Sequence, residues 1–93
     1  MIEVAGAGVS SPMDIKIYTK SYCGFCYAAK NLLTKRGLEY AEIEVTHDAA
    51  MEKQMRELSG GTTVPQIFFN GNAIGGYTDL LELDKKGQLE NKQ

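Results

Sequence analysis

Two cysteines, the only two in the chain, stand where they leave little freedom for the fold around them. The run Lys20-Ser21-Tyr22-Cys23-Gly24-Phe25-Cys26 follows a short apolar stretch, Ile15-Lys16-Ile17-Tyr18, and precedes a helical pattern. A strand-to-helix junction puts Cys23 at a helix N-terminus. Unpaired N–H groups and the positive end of the macrodipole favour negative charge there. A thiolate is such a charge, and it is the reactive form of cysteine. Cys26 falls one helical turn on, within disulfide reach. The pair marks a redox site, and the rest of the chain is its scaffold. A zinc site is the other reading of C-x-x-C, but it needs four ligands. Beyond the cysteines only His47 offers a strong soft or imidazole donor, and beside Asp48 at a predicted helix start it reads as a solvated residue.

Ninety-three residues make one domain, near the lower end of what buries a sufficient core unaided. Two cysteines cannot build the multi-bridge framework of a small secreted scaffold. A net charge of -2, with no long basic block, argues against nucleic acid and acidic membrane surfaces as partners. No apolar stretch approaches the roughly 20 residues of a membrane span. At the N-terminus Glu3 stands where a signal peptide is basic, and Gly6, Gly8 and Pro12 interrupt a weak apolar run. Residues 1–12 are expected to form a flexible extension or leader, with a short edge strand at residues 2–4 the less favoured reading. The folded domain is expected over residues 13–90. With no export signal visible, a reducing cytoplasm is the expected compartment.

Residues 14–19 read as a strand. From residue 24 to 36 Cys26, Ala29, Leu32 and Leu33 recur at helical spacing, Lys35 and Arg36 suit the last turn, and Gly37 supplies a left-handed cap. Residues 38–45 alternate apolar and acidic side chains, as a strand with one solvated side does. Asp48 caps a predicted second helix with Met51, Met55 and Leu58 on its face, ended by Gly60-Gly61. Residues 64–69 form a third strand, and Asn70-Gly71 is the strongest hairpin signal in the chain, so the return strand at 72–74 is antiparallel. Gly75-Gly76 breaks the ladder. A last helix runs from about Thr78, with Leu80, Leu81 and Leu83 apolar, to Gly87. The order predicts an α/β fold: a right-handed βαβ unit plus a β-hairpin in one four-stranded mixed sheet, flanked by three helices on both faces.

Tyr18-Thr19-Lys20 before Cys23-Gly24-Phe25-Cys26, then Thr63-Val64-Pro65, then Gly75-Gly76-Tyr77-Thr78-Asp79 together resemble a dithiol glutaredoxin, a member of the thioredoxin-fold superfamily. The resemblance runs from about Met13 to Leu89. It departs from the family in two places. Gly24-Phe25 stands where most dithiol members carry Pro-Tyr and matches instead the single-cysteine members, which end the motif in Ser. Gly61 stands where a long, often basic, side chain is common.

The resemblance implies a role for each matching residue. Cys23 is the nucleophile and Cys26, on the apolar helix face, the resolving cysteine. Lys20, by composition alone a solvated lysine, becomes the cation beside Cys23 and the first choice for the glycine carboxylate of glutathione, with Arg56 the second. Pro65, on its own residues a trans proline opening an edge strand, becomes a cis proline. It presents the Val64 backbone to the cysteinyl unit, beside Thr63. Gly76, Thr78 and Asp79 open a helix whose N–H groups suit a carboxylate, while Asp79 suits an ammonium; both match the γ-glutamyl end. Phe25 lines the cleft, and Tyr22 either joins it or simply packs.

Together these roles imply an enzyme that reduces glutathione mixed disulfides and protein disulfides, with glutathione as co-substrate and no obligatory cofactor or metal. Its partners are glutathione and glutathionylated or disulfide-containing proteins, and it works as a monomer. A different class of function is carriage of a [2Fe–2S] cluster. Relatives with a small residue after the first cysteine form a homodimer in which Cys23 of each subunit and two glutathione thiols would be the ligands. Gly24 favours that reading, and Cys26 counts against a purely single-cysteine carrier. A thioredoxin-like reductase fed by a flavoenzyme is the third reading, opposed by the absence of tryptophan and by G-G-x-x-D.

Overall fold

The alternation at the start of the domain resolves into strand β1, Ile15–Thr19, and the fold is built outward from it. In this computed structural model, which describes residues 14–89, β1 lies inside a four-stranded sheet of order β2-β1-β3-β4. β2 is Ala41–Glu44, β3 is Gln66–Phe69 and β4 is Asn72–Gly75. β1 runs parallel to β2 and antiparallel to β3, and β3 is antiparallel to β4. Helices α1 (Gly24–Lys35), α2 (Ala49–Ser59) and α3 (Tyr77–Lys85) complete the thioredoxin-like architecture. The expected extension at 1–12, the edge strand at 2–4 and residues 13 and 90 lie outside the described residues. Among the described residues no helix is long and apolar enough to cross a membrane.

Side chains alternate across a strand, so β1 feeds two cores. Ile15 and Ile17 join Ala29, Leu33, Ile67 and Leu80 under α1 and α3. Tyr18 joins Val45, Met55 and Phe68 under α2, where the Tyr18 and Phe68 rings meet edge to face at 5.5 Å. Helices thus cover both faces, as the apolar run before Asn70 requires. The hairpin turns on Asn70 and Gly71, both at positive φ (54° and 85°), the geometry of a type I′ turn. α1 and α3 end alike. The Leu38 N–H donates to the Leu33 carbonyl and the Gly37 N–H to Thr34; the Gln88 N–H donates to Leu83 and the Gly87 N–H to Asp84. These are Schellman caps, with glycine at the left-handed position. A two-pronged Arg36–Asp84 ion pair joins the two ends and holds the Asp84 carboxyl below the usual carboxylate range.

Three expectations need correcting. β2 and β3 are shorter than the stretches expected for them: Leu38 and Pro65 are buried by packing outside the ladder, and Val45, also buried, adds only one N–H bond to the Thr19 carbonyl beyond the end of β2. α3 starts one residue early, at Tyr77, with Gly76 as N-cap. Leu58 does not complete the buried face of α2: it is 57% exposed. It stands at the rim of a hollow of about 140 Å³ lined also by Asp14, Lys16, Tyr18, Phe68 and Gly71, so it touches the sheet on one side only.

Met55 is consequently the one fully buried residue of α2. Met55→Ala is expected to cost about 2–5 kcal/mol, the range for truncating a buried Met. α2 should become the first segment cut in limited proteolysis, which checks the assignment alongside a denaturant melt.

Candidate active site

Cys23 is the N-cap of α1. Its backbone is extended (φ -101°, ψ 114°), and its Sγ accepts a hydrogen bond from the Cys26 N–H at 3.2 Å. The sulfur therefore does what a Ser or Asp side chain does at most helix starts, in a place where negative charge is favoured. As a thiol it also donates to the Val64 carbonyl at 3.6 Å. Loss of the proton ends that donation and leaves the contact to the Cys26 N–H, which suits an anion. The turn before Cys23 is anchored twice: the Cys23 N–H donates to the Lys20 carbonyl, and the Ser21 N–H donates to Thr46 Oγ1 at 2.8 Å.

Cys26 is the opposite kind of thiol. It is 1% exposed, and burial, aided by the hydrogen bond with Cys23, pushes its pKa up from 9.0 to about 12. Lys30, one turn further along α1, pulls weakly the other way. Lys30 is itself held by Glu42, whose carboxyl is kept low first by the Thr19 hydroxyl and then by Lys30. Both cysteines are free thiols. A thiol pKa raised by folding means that the unfolded chain loses its proton first. The stabilisation is complete below about pH 9 and is lost as pH rises through that value toward about 12. Under reducing conditions, the wild type is expected to lose stability faster than Cys26→Ala over that window. Parallel pH–stability curves for the two proteins would show the assignment to be wrong.

Beside Cys23 runs a groove of about 630 Å³, within the roughly 300–1,000 Å³ of small-molecule sites. Of the residues singled out in the sequence, Phe25, Thr63, Val64, Pro65, Gly76, Thr78 and Asp79 line it. The Val64–Pro65 bond is cis, and the Val64 N–H has no hydrogen-bond partner among the described residues. At the far wall Asp79 Oδ2 accepts from the Gly76 N–H at 3.0 Å. The carboxylate is thereby pinned across the first turn of α3, whose leading N–H groups are otherwise without helical partners. Asp79 alone performs the capping expected of Thr78 and Asp79 together.

Other parts of the lining were not singled out as contacts. Tyr77 stacks on Phe25 with ring centroids 5.9 Å apart. Gln66 is buried and bonds the Thr63 carbonyl through Nε2; Ser59, Gly60, Gly61 and Gly75 complete the walls. The position of Tyr77 inside Gly75-Gly76-Tyr77-Thr78-Asp79 was the available signal. Tyr22 is 83% exposed and lies outside the lining.

Lys20 and Arg56 are outside the lining as well. Their side chains converge on Glu52 instead: Lys20 Nζ lies 2.9 Å from Glu52 Oε2 and an Arg56 guanidinium nitrogen 3.5 Å from the same oxygen. Glu52 was not singled out in the sequence. Among the described residues no group of three or more His, Cys, Asp or Glu side chains is placed to hold a metal ion.

A partly exposed thiol capping a helix, a buried thiol one turn on, and a proline-edged groove beside them, all on this sheet, define a dithiol protein of the thioredoxin fold. Comparison with known proteins narrows the class. The glutaredoxin family model matches residues 15–74. Glutaredoxin 3 of Escherichia coli is 43% identical over 77 residues, covering 83% of this chain and 93% of that protein. Among solved structures, a buckwheat glutaredoxin–glutathione complex has a TM-score of 0.76 at 30% identity, covering 83% of this chain and 73% of that one. Wheat glutaredoxin has a TM-score of 0.75 at 36% identity, over 86% and 76%. The chain belongs to the glutaredoxin family, and with it to the glutathione-dependent thiol–disulfide oxidoreductases.

Proposed function

We propose that the chain reduces glutathione mixed disulfides, and disulfides of proteins, through Cys23. The observation that carries this reading is the asymmetry of the two thiols. Cys23 is only partly buried at a helix start with its sulfur accepting an N–H, and Cys26 is buried with its pKa raised to about 12. In the monothiol route the Cys23 thiolate attacks the glutathionyl sulfur of the substrate. The protein thiolate departs and takes up a proton, leaving glutathione disulfide-bonded to Cys23. A second glutathione thiolate attacks that glutathione sulfur, releasing glutathione disulfide and returning Cys23 as thiolate. In the dithiol route a substrate cysteine is bonded to Cys23. Cys26 attacks the Cys23 sulfur, giving up its proton as it does so, and the Cys23–Cys26 bond forms while the substrate thiolate leaves. Two glutathione molecules then reduce that bond.

The groove suits glutathione along its length. The Val64 N–H and C=O would pair with the cysteinyl backbone, as in strand addition. The first-turn N–H groups at Tyr77–Asp79 suit the γ-glutamyl carboxylate, and Asp79 its ammonium. Phe25 stacked on Tyr77 forms an apolar wall, with Thr63 and Pro65 opposite. Lys20 and Arg56 are the cations for the glycine carboxylate. The buckwheat relative was solved as a glutathione complex, which supports the same ligand here. A cytoplasmic pool of reduced glutathione would supply the electrons, and the chain would act as a monomer.

The alternative, a cluster carrier, has one observation in its favour. A Cβ at Gly24 would meet no atom within 4 Å, so nothing in the chain's own packing requires glycine beside Cys23. In that role the partly buried Cys23 of each of two copies, with two glutathione thiols, would hold a [2Fe–2S] cluster. Steady-state reduction of a glutathionylated peptide, coupled to glutathione reductase, tests the first reading. An inactive protein that binds glutathione, and is brown when purified without oxygen, would transfer the conclusion to the second.

A further inference from the structure

Two cations, one on the turn before Cys23 and one on α2, stand outside the groove's lining, and one carboxylate engages both. Lys20 belongs to the turn whose carbonyl accepts the Cys23 N–H. Arg56 lies one turn before Ser59 and Gly60, which line the groove. Glu52, on α2, bridges them through a single oxygen, Oε2. All three side chains are partly solvated, at 31%, 23% and 43% exposure for Lys20, Glu52 and Arg56. Ion pairs of this kind add little to fold stability and are screened by salt, so a competing charge has little to overcome.

We infer that Glu52 sets the affinity of this protein for the carboxylate end of its substrate, by holding the two cations that the carboxylate would use. The inference rests on the reading of Lys20 and Arg56 as the glycine-carboxylate partners. With Glu52 in place, the trio carries one net positive charge, and an incoming carboxylate must displace or share with an internal one. Without it the same two cations stand open, and the pull on an anion is stronger and more sensitive to salt. The rest of the groove is untouched by this competition, because Asp79 and the α3 N-terminus form its other end. Glu52 is therefore a specificity-determining residue rather than a catalytic one.

The test compares two substrates: a glutathionylated peptide and the same peptide carrying glutathione amidated at its glycine. Wild type, Glu52→Gln and Glu57→Gln are assayed on both. Glu57→Gln makes the same charge change elsewhere on α2. Glu52→Gln is expected to lower KM for the carboxylate substrate about three- to fivefold with kcat unchanged. That gain should shrink as salt is raised, and neither the amidated substrate nor Glu57→Gln should show it. A wild type that prefers the carboxylate substrate, paired with a Glu52→Gln that gains nothing or gains equally on both, overturns the role of Glu52 alone. A wild type that turns over both substrates with the same KM overturns the carboxylate reading of Lys20 and Arg56, and the inference with it.

Discussion

Cys23→Ser is expected to lose turnover of a glutathionylated peptide by on the order of 10³-fold or more in kcat/KM, because Cys26, the other thiol of the chain, is buried and cannot take over the attack. The loss would be chemical, not structural. Serine is a favoured N-cap and its oxygen can accept the Cys26 N–H in place of sulfur, so the melting temperature should hardly move. Cys26→Ser should behave differently. On the proposed mechanism it keeps reduction of the glutathionylated peptide, since glutathione would itself resolve that intermediate, but stalls on substrates with an internal disulfide, where a mixed disulfide with Cys23 would accumulate. Mass spectrometry of the trapped species distinguishes the two variants. Residual turnover by Cys23→Ser, or equal loss from Cys26→Ser on both substrates, would show that the roles have been assigned wrongly.

The second large effect comes from a residue with no functional group. Gly75 has φ of 115°, a backbone region that side chains rarely adopt. A Cβ there would collide with the Asp79 carboxylate. Gly75→Ala is expected to push Asp79 off the Gly76 N–H and out of the groove, raising KM for glutathione substrates about tenfold or more, as loss of a charged hydrogen bond does. Backbone strain would add about 1–3 kcal/mol of destabilisation. Asp79→Asn separates the contributions, because it keeps the shape and removes the charge. If Asp79→Asn matches Gly75→Ala in KM while melting like the wild type, the carboxylate is the cause. An unchanged KM in both would remove Asp79 from the binding site.

Local chemistry explains why much of this architecture is readable from the chain alone. Asn70-Gly71 and Gly37 are required by backbone angles set within a few residues, and they stand where expected. The C-x-x-C at a strand–helix junction announces its own N-cap. What stays hidden depends on distances across the fold. Glu52 meets Lys20 only because β2 and the loop after it carry α2 back toward the Cys23 turn; no spacing in the sequence encodes that pairing. Leu58 satisfies the helical period, but a period gives the direction of a face and not how far the sheet beneath it extends. Tyr77 is hidden differently: its stacking on Phe25 joins two helix starts that are remote in sequence. Short-range rules thus recover the elements and the thiols, while the electrostatic partners around them need the assembled chain.

The Arg36–Asp84 pair fastens α1 to α3 at their C-terminal ends, whereas Cys23 and the Gly76–Asp79 segment stand at their N-terminal ends. The two arms carry the Cys23 sulfur and the Asp79 carboxylate at those ends, and the Phe25 and Tyr77 rings stack across the gap between the two helix starts. Ala29, Leu33 and Leu80 pack in the core beneath both arms, so the opening at the tips is set by buried side chains, and the solvated ion pair at the far ends adds little to it.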